Sequence, residues 1–280
     1  MIKIENTQVV GWEPAIRGMR NPMNSWETSD SFFLERIGHG DAYGHDLLGN
    51  EKCITSEEIE NRPDDENMIA DHGVLFGPND LGLMKKLAVG GSVHAKYRRM
   101  IAVYADITAP LYWWKEFDTY KVGTVANSCS TMHKIHAKEF TLEDFSTEHL
   151  IFDKDVPLEE YDKIAEQTAW EALNDNYCGY TDDDFVNYNS FPGESIKYTI
   201  AFLNRARELY LKTKDKKYWW QMIHLLPSSY NQKRTVMMNY EVLAGIYPMR
   251  KDHKLDEWHD FCDWIKKLPY SEVITLEGAK

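Results

Sequence analysis

The residues best suited to chemistry lie in one polar segment and one basic segment. Val125–Thr131 contains an asparagine, two serines, a threonine and a cysteine, and such small side chains let backbone N–H groups approach an anion closely. Arg250 follows Pro248 near a predicted helix end. A guanidinium binds a planar base edge or a phosphate through two parallel hydrogen bonds. The two segments therefore indicate a site for an anionic or planar ligand.

A histidine and a pair of tryptophans add candidate contacts for a ring-shaped ligand. His94 follows Gly90-Gly91 and precedes the strand predicted at Tyr97–Ile107. It is therefore accessible to a ligand, although a single histidine is more often structural. Trp113 and Trp114 are adjacent on a predicted helix and face different sides of it. One indole is expected in the core, and the other can line a pocket.

Several common functional motifs are missing from the sequence. Gly38–Asp41 and Gly90-Gly91 lack the spacing of a phosphate-binding loop or a dinucleotide fingerprint. Histidines and aspartates between residues 39 and 46 are donors that zinc or iron accepts. No motif of fixed helical spacing accompanies them, so a polar turn is favoured and no metal site is predicted. The predicted free thiols, none in a paired motif, are Cys53, Cys129, Cys178 and Cys262.

Composition excludes several classes of protein. Of 280 residues, 43% are hydrophobic and 28% are charged, as in globular rather than disordered chains. The formal net charge of −13 disfavours broad binding to nucleic acids or anionic membranes. No apolar run approaches the roughly 18 residues of a membrane span, and the N-terminus lacks a secretory pattern. We therefore expect a cytoplasmic protein with no nucleic-acid or membrane partner.

The elements that must position these residues follow from hydrophobic spacing and from turn signals. In the first half we predict a strand at Met1–Val10, a helix at Trp12–Arg20, loops with short elements over 21–78, a helix at Leu81–Leu87, a strand at Tyr97–Ile107, a helix at Leu111–Tyr120 capped by Thr108, and a loop at Lys121–Ser130. In the second half we predict helices at Pro157–Asn174, Glu194–Thr213, Tyr218–Leu226, Ser228–Tyr247 and Leu255–Leu268. A strand followed by many helices predicts an α+β chain folded as one unit.

The middle of the chain contains His94, then the step Ala109-Pro110, then the segment Thr119–Thr131. This order resembles that of the flavin-dependent thymidylate synthases. In that family a histidine opens a strand, an Ala-Pro step starts a helix, and a signature of the form RHRxxSxNExSxR follows.

A second block near the C-terminus resembles the same family. There a Leu-Pro step opens a long helix that carries an asparagine and, eleven residues later, an arginine. Leu226-Pro227, Asn239 and Arg250 match this pattern in identity and spacing. His253 and Trp258 then follow in the family's order.

The resemblance implies a fold, a reaction and a set of ligands. The fold would be one domain over residues 1–280, with a small antiparallel sheet packed against a helix-rich C-terminal half. Its parts would be a loop-rich segment over 1–90, the signature region over 91–140 and a helical part over 155–268. The reaction would be reductive methylation of deoxyuridylate (dUMP) to dTMP, with carbon from methylenetetrahydrofolate, electrons from NADPH, and FAD carrying the hydride. Family members are homotetramers with sites between subunits, so a homo-oligomer that binds a small nucleotide is implied.

The resemblance also assigns roles to individual residues. Arg250 and His94 would be catalytic, with Arg250 on the pyrimidine and His94 near the flavin or the folate. The implied cofactor-binding residues are His94, Asn239, Lys121, Thr124 and Asn127. The implied substrate-binding residues are Arg250, Cys129, Ser130, Thr131 and Glu116.

The signature positions leave three functions open. They read Thr119-Tyr120-Lys121 and Cys129-Ser130-Thr131, so Lys121 alone keeps a positive charge where the family has several arginines. The chain is thus an active thymidylate synthase with altered contacts, a diverged enzyme for another pyrimidine nucleotide, or a non-catalytic nucleotide-binding protein.

Overall fold

The computed structural model describes residues 2–60, 73–155 and 193–277. Its strands are β1 (Lys3–Val10), β2 (Phe32–Gly38), β3 (Asp41–His45), β4 (Glu51–Ile54), β5 (Val74–Leu75), β6 (Ala102–Pro110), β7 (Val125–Ser128) and β8 (Asn231–Asn239). Its helices are α1 (Trp12–Arg20), α2 (Ser56–Glu60), α3 (Pro78–Val89), α4 (Leu111–Phe117), α5 (Thr131–Lys134), α6 (Glu194–Thr213), α7 (Lys216–Leu225), α8 (Tyr240–Arg250), α9 (Asp256–Lys266) and α10 (Glu272–Thr275). The predicted α+β class is confirmed.

The described residues form two compact units. The first takes residues from 2–109, 113–128 and 233–277, and the second takes residues from 110–112 and 129–232. The expectation of a single domain remains a prediction. The helix predicted at Pro157–Asn174 lies outside the described residues.

The first unit contains a four-stranded sheet in the order β1-β6-β8-β7. The predicted edge strand is confirmed, because β1 pairs antiparallel with β6 and Val9 lies opposite Val103. At the other edge, β7 pairs antiparallel with β8. The loop predicted at Lys121–Ser130 is therefore wrong over Val125–Ser128, because cross-strand hydrogen bonds order a segment whose side chains are all exposed.

A second sheet, in the order β4-β3-β2-β5, lies where loops with short elements were predicted over 21–78. Its strands are short and separated by turns, so the sequence shows little periodicity. Phe32, Ala42 and Leu75 are buried and form its small core. Burial of a few apolar side chains thus stabilises a sheet that the sequence pattern does not predict.

The region around residue 230 differs most from the prediction. In place of one helix at Ser228–Tyr247, the chain forms β8 followed directly by α8. Gln232, Val236 and Met238 are buried on β8, which is the period of two that a half-buried strand requires. The helical prediction is therefore wrong over Asn231–Asn239, because pairing with neighbouring strands orders these residues as a strand.

The predicted strand at Tyr97–Ile107 starts later and ends later than expected. Lys96–Arg99 forms a short 3-10 helix, and β6 extends to Pro110, so Thr108 lies in the strand and caps no helix. The helix α4 begins at Leu111, whose N–H donates to the carbonyl oxygen of Tyr230 at 3.0 Å. A backbone carbonyl thus satisfies one of the unpaired donors of the first helical turn.

An aromatic cluster holds α4 against α9 in the first unit. Trp113 and Trp114 are both fully buried, so both indoles belong to the core. The ring centroid of Trp113 lies 4.9 Å from that of Trp258 and 5.1 Å from that of Phe117. Since each large aromatic side chain buries substantial apolar area, this cluster fixes the two helices that carry the candidate site.

In the second unit α6 matches its predicted bounds, and α7 begins two residues before the predicted Tyr218. The core of this unit comprises Ile135, Phe140, Phe145, Phe152, Ile196, Leu203, Ala206 and Met222.

A buried ion pair links α1 to α3 in the first unit. Arg20 and Asp80 are 3% and 0% exposed, and Arg20 Nε donates to Asp80 Oδ1 at 2.6 Å. Ser29 and Ser31 each donate a hydroxyl hydrogen bond to Asp80 Oδ2 at 2.6 Å. Both charges are therefore paired and hydrogen-bonded, the condition under which buried charges are tolerated.

We expect Asp80→Asn to lower the free energy of unfolding by about 3 kcal/mol, because it leaves the Arg20 charge buried without a counterion. Denaturant unfolding of the purified variant measures this loss. The matched control is Asp263→Asn, since the pair that Asp263 forms with Lys266 is exposed to solvent. Its expected cost is within about 0.5 kcal/mol. Equal unfolding free energies for the two variants would contradict this assignment.

Candidate functional site

One carboxylate oxygen lies at the centre of the candidate site. Glu116 Oε2, on α4, accepts a hydrogen bond from Arg250 Nη1 at 2.6 Å and another from Trp258 Nε1 at 3.0 Å. Two residues predicted to bind the substrate, Glu116 and Arg250, are therefore brought into direct contact. A bond between two charged groups at this distance is among the stronger hydrogen bonds in proteins.

The guanidinium of Arg250 is held on two further sides. Its Nε donates to the hydroxyl oxygen of Tyr120 at 2.8 Å. Its Cζ lies 4.5 Å from the ring centroid of Trp258, within the range of cation–π attraction. The side chain is 16% exposed. An ion pair, a hydroxyl and an aromatic face thus fix its orientation before any ligand arrives.

His253 completes the group on the far side of Glu116. Its Nδ1 accepts a hydrogen bond from the Leu255 N–H at 3.1 Å, so in the neutral ring the proton resides on Nε2. That Nε2 lies 3.4 Å from Glu116 Oε2. The carboxylate oxygen therefore faces three donor groups, from Arg250, Trp258 and His253.

Three elements position these side chains. Glu116 lies in the last turn of α4, Arg250 is the final residue of α8, and Trp258 lies in the first turn of α9. Trp258 is fully buried in the aromatic cluster, so its indole N–H is rigidly directed at Glu116. The short link between α8 and α9 brings His253 to the same carboxylate.

Arg250 retains hydrogen-bonding capacity for a ligand. Its Nη2 forms no hydrogen bond with any described residue and is not buried. A guanidinium carries five N–H donors in a fixed plane. With Nε and Nη1 engaged, the open edge can bind a planar acceptor such as a pyrimidine carbonyl.

The predicted cofactor-binding residues after α4 lie near the start of α8. Asn239 is the N-cap of that helix, and its Oδ1 accepts the Val242 N–H at 3.0 Å. Gly123 has a φ of 83°, and a Cβ there would lie 3.2 Å from Asn239 Nδ2. The loop thus approaches the helix N-terminus closely, while Lys121 and Asn127 remain exposed.

Thr124 is half-buried in this loop, and its hydroxyl donates to the carbonyl oxygen of Tyr120. This bond ties the loop to the residue whose phenol contacts Arg250.

The Leu-Pro step does not open a long helix as the resemblance implied. Leu226-Pro227 precedes β8, and Asn239 ends that strand before α8 begins. The asparagine is thus placed by a strand-to-helix junction.

Three predicted substrate-binding residues belong to the second unit. They are Cys129, Ser130 and Thr131. The Cys129 carbonyl oxygen accepts a hydrogen bond from Gln232 Nε2 at 2.9 Å. Ser130 caps α5, because its Oγ accepts the His133 N–H at 3.0 Å.

His94 occupies a different setting from the one implied by the resemblance. It lies exposed in the turn after α3, where its N–H donates to the Gly91 carbonyl at 2.9 Å. The 3-10 helix Lys96–Arg99 separates it from β6, so it does not open that strand. Among the described residues, Arg250 forms its hydrogen bonds with Glu116 and Tyr120, and none with His94.

The cysteines Cys53, Cys129 and Cys262 lie among the described residues as free thiols. Burial raises the pKa of the Cys262 thiol, on α9, to about 11, whereas Cys53 and Cys129 are exposed free thiols. Within the described ranges, no group of three or more His, Cys, Asp or Glu side chains is arranged to hold a metal ion. Nor does any helix there have the length and apolarity needed to cross a membrane.

Sequence reasoning assigned no role to Tyr120, His253 or Trp258. Tyr120 lies four residues after Glu116, a spacing that places two residues on one side of a helical turn. That spacing was an available signal. The convergence of His253 and Trp258 on Glu116 depends on the packing of α9 against α4, which no local pattern encodes.

Comparisons with known proteins establish the fold. The structure is similar to the flavin-dependent thymidylate synthase of Helicobacter pylori solved with FAD and dUMP, with a TM-score of 0.52 and 13% identity over 100% of this chain and 99% of that one. A second structure of that enzyme with FAD and dUMP gives 0.50 and 12% over 99% and 98% of the two chains. A UMP/dUMP methylase of Streptomyces cacaoi, bound to 5-Br UMP, gives 0.50 and 12% over 100% and 96%.

At these identities the likeness shows a shared fold, including the predicted arrangement of small antiparallel sheets and helices. No family model matches the sequence, and no curated protein sequence does.

Alkylation of the folded protein at about pH 8 should modify Cys53 and Cys129 and spare Cys262, since the thiolate is the nucleophile. Peptide mass spectrometry after iodoacetamide treatment identifies each modified thiol. Unfolding in guanidinium chloride before treatment should make Cys262 react at a rate similar to Cys129. Equal labelling in the folded protein would contradict the burial of Cys262.

Proposed function

We propose that this chain is a flavin-dependent enzyme that methylates a pyrimidine nucleotide, converting dUMP to dTMP. The proposal rests on one observation: Glu116, Tyr120 and Trp258 fix the guanidinium of Arg250 and leave its Nη2 without a hydrogen bond to any described residue. The shared fold supports it, because neighbours with this fold were solved with FAD and dUMP or with a uridine nucleotide.

The open edge of Arg250 suits the carbonyl edge of a pyrimidine. A ligand oxygen there would accept a charge-assisted hydrogen bond from Nη2. Glu116 and Tyr120 hold the cation in place, so little reorganisation accompanies binding. When negative charge develops on the base during alkylation, a fixed cation stabilises it more than the neutral ground state.

The residues at the start of α8 fit FAD. Asn239 uses Oδ1 to cap the helix, which leaves its Nδ2 hydrogens for a ligand carbonyl. Lys121 supplies a positive charge in the adjacent exposed loop, and the N-terminus of a helix favours anions such as the phosphates of a dinucleotide. Thr124 and Asn127 add hydroxyl and amide groups. When bound, FAD would carry the hydride, while the protein binds and orients.

The other ligands of the proposed reaction follow from its chemistry. Methylenetetrahydrofolate would supply the one-carbon unit and NADPH the electrons. His94, exposed in its turn, would contact the flavin or the folate, and Cys129, Ser130 and Thr131 would bind the phosphate end of the nucleotide. We further propose a homotetramer in the cytoplasm.

Arg250→Ala should abolish measurable dUMP binding, because it removes the oriented donor of the pocket. Isothermal titration of the purified chain with dUMP measures the affinity, and Arg250→Lys tests geometry, since a lysine keeps the charge but loses the planar fork. We expect at least a tenfold weaker affinity for the lysine variant, about 1.4 kcal/mol.

The matched control for this experiment is Arg205→Ala, since Arg205 forms an exposed pair with Glu208 on α6. Its dUMP affinity should equal that of the unmodified chain. Unchanged affinity in Arg250→Ala would refute the role of that residue.

Glu116→Gln should weaken dUMP binding about tenfold, because a neutral amide holds the guanidinium less firmly than a carboxylate does. Its fold should persist, since the amide oxygen can still accept from Trp258. Thermal unfolding checks the fold, and the same titration checks affinity. A tighter affinity for dUMP would contradict this role and would show that the carboxylate of Glu116 repels the nucleotide.

The reaction itself is tested by flavin absorbance of the purified protein and by tritium release from dUMP labelled at carbon 5. Yellow protein that releases tritium only with methylenetetrahydrofolate and NADPH supports the proposal. Turnover of UMP in place of dUMP would assign the chain to another pyrimidine nucleotide. Nucleotide binding without flavin and without turnover would identify a non-catalytic binding protein.

A further inference from the structure

The second unit contains a basic, aromatic cleft of about 350 Å³. It lies between α5, the C-terminal end of α6 and the N-terminal end of α7. Its principal lining side chains are His133, His136, Tyr210, Lys214, Lys216 and Trp219. Two ammonium groups and two imidazoles thus converge on one cleft of a chain whose formal net charge is −13.

The two lysines have no acidic partner among the described residues. Lys214 Nζ lies 5.9 Å from the ring centroid of Tyr210, and Lys216 Nζ lies 5.8 Å from that of Trp219. Asp215, which stands between them in sequence, pairs instead with Lys217 Nζ at 3.1 Å. The positive charge on the cleft is therefore uncompensated within the part of the chain that the structure describes.

The imidazole of His136 is held with unused hydrogen-bonding capacity. Its ring packs edge-on against Tyr210, with centroids 4.9 Å apart. Its backbone oxygen accepts a hydrogen bond from Arg207 Nε at 3.0 Å, which fixes the segment against α6. Its Nδ1 is buried and has no hydrogen-bond partner among the described residues. The packing against Tyr210 and the hydrogen bond from Arg207 therefore hold the ring in place beside the cleft.

The aromatic walls of the cleft are rigid. Trp219 Nε1 donates to the Met132 carbonyl at 3.1 Å, which fixes the plane of the indole. Tyr210 and Trp219 are half-buried and pack against the core of the second unit. Rigid aromatic faces beside cations are the combination on which nucleobases stack while phosphates are neutralised.

We propose that this cleft binds the nucleoside diphosphate unit, free or as part of a dinucleotide. The phosphates would lie against Lys214 and Lys216 with imidazole donors beside them, and the base would stack on Trp219. Two ammonium groups match a diphosphate better than a single carboxylate, because each neutralises one phosphate. The proposal goes beyond the function proposed above, since the cleft is lined by none of the residues that surround Arg250, which are Glu116, Tyr120, His253 and Trp258.

The test is isothermal titration of the full chain with ADP, with NADPH and with inorganic pyrophosphate. We expect ADP to bind one site per chain, and to bind more tightly than pyrophosphate because of base stacking. The double variant Lys214→Gln/Lys216→Gln should weaken ADP binding about tenfold or more. If NADPH binds and ADP does not, and if the double variant weakens NADPH binding about tenfold, the site would be assigned to a dinucleotide.

The matched control is Lys197→Gln/Lys212→Gln, which removes the same charge from α6 outside the cleft lining and leaves the pair between Asp215 and Lys217 in place. Its ADP affinity should change less than threefold, because salt screens charges that lie on the surface away from the ligand. All four lysines are exposed, so both double variants should fold, as thermal unfolding will show. Equal loss in the two double variants, or no binding of ADP or NADPH, would overturn the proposal.

The same titrations distinguish an error in this proposal from an error in the proposed function. Lys214→Gln/Lys216→Gln should keep the dUMP affinity of the unmodified chain, and Arg250→Ala should keep its ADP affinity. Parallel loss of both affinities in either variant would show one shared site and would overturn the assignment of the cleft.

Discussion

The ion pair between Glu116 and Arg250 is the interaction on which the candidate site depends. It joins the last turn of α4 to the last residue of α8, and the same carboxylate binds the indole of Trp258 on α9. The partners are 35% and 16% exposed, so solvent screens them less than it screens a surface pair. Because three helices meet at one oxygen atom, the geometry of the site and the packing of this unit are determined together.

The buried aromatic cluster explains why this ion pair is well defined. Trp113 and Trp258 pack against each other without exposure to solvent, which fixes the indole that contacts both Glu116 and Arg250. A guanidinium held in this way has lost its rotational freedom during folding, so ligand binding need not remove it again. Part of an unusually aromatic composition, with nine tryptophans, thus serves to fix the position of one guanidinium.

Sequence reasoning predicted long amphipathic elements well and short strands poorly. The bounds of α1 and α6 match because each has apolar residues at helical spacing over several turns. The strand β8 was missed because its alternation runs directly into α8. For the site, the resemblance pointed to Glu116 and Arg250, whose roles stay predictions, whereas the contacts of His253 and Trp258 arise from tertiary packing.

Asn239 serves folding through one atom and leaves another available. Its amide oxygen caps the N-terminus of α8, and its amide nitrogen lies close to the glycine turn at residue 123. Serine or aspartate would cap the helix as well, but neither carries a pair of amide hydrogens. An asparagine at this position therefore starts the helix and also places two amide hydrogens beside the glycine turn, which a serine or aspartate cap would not do.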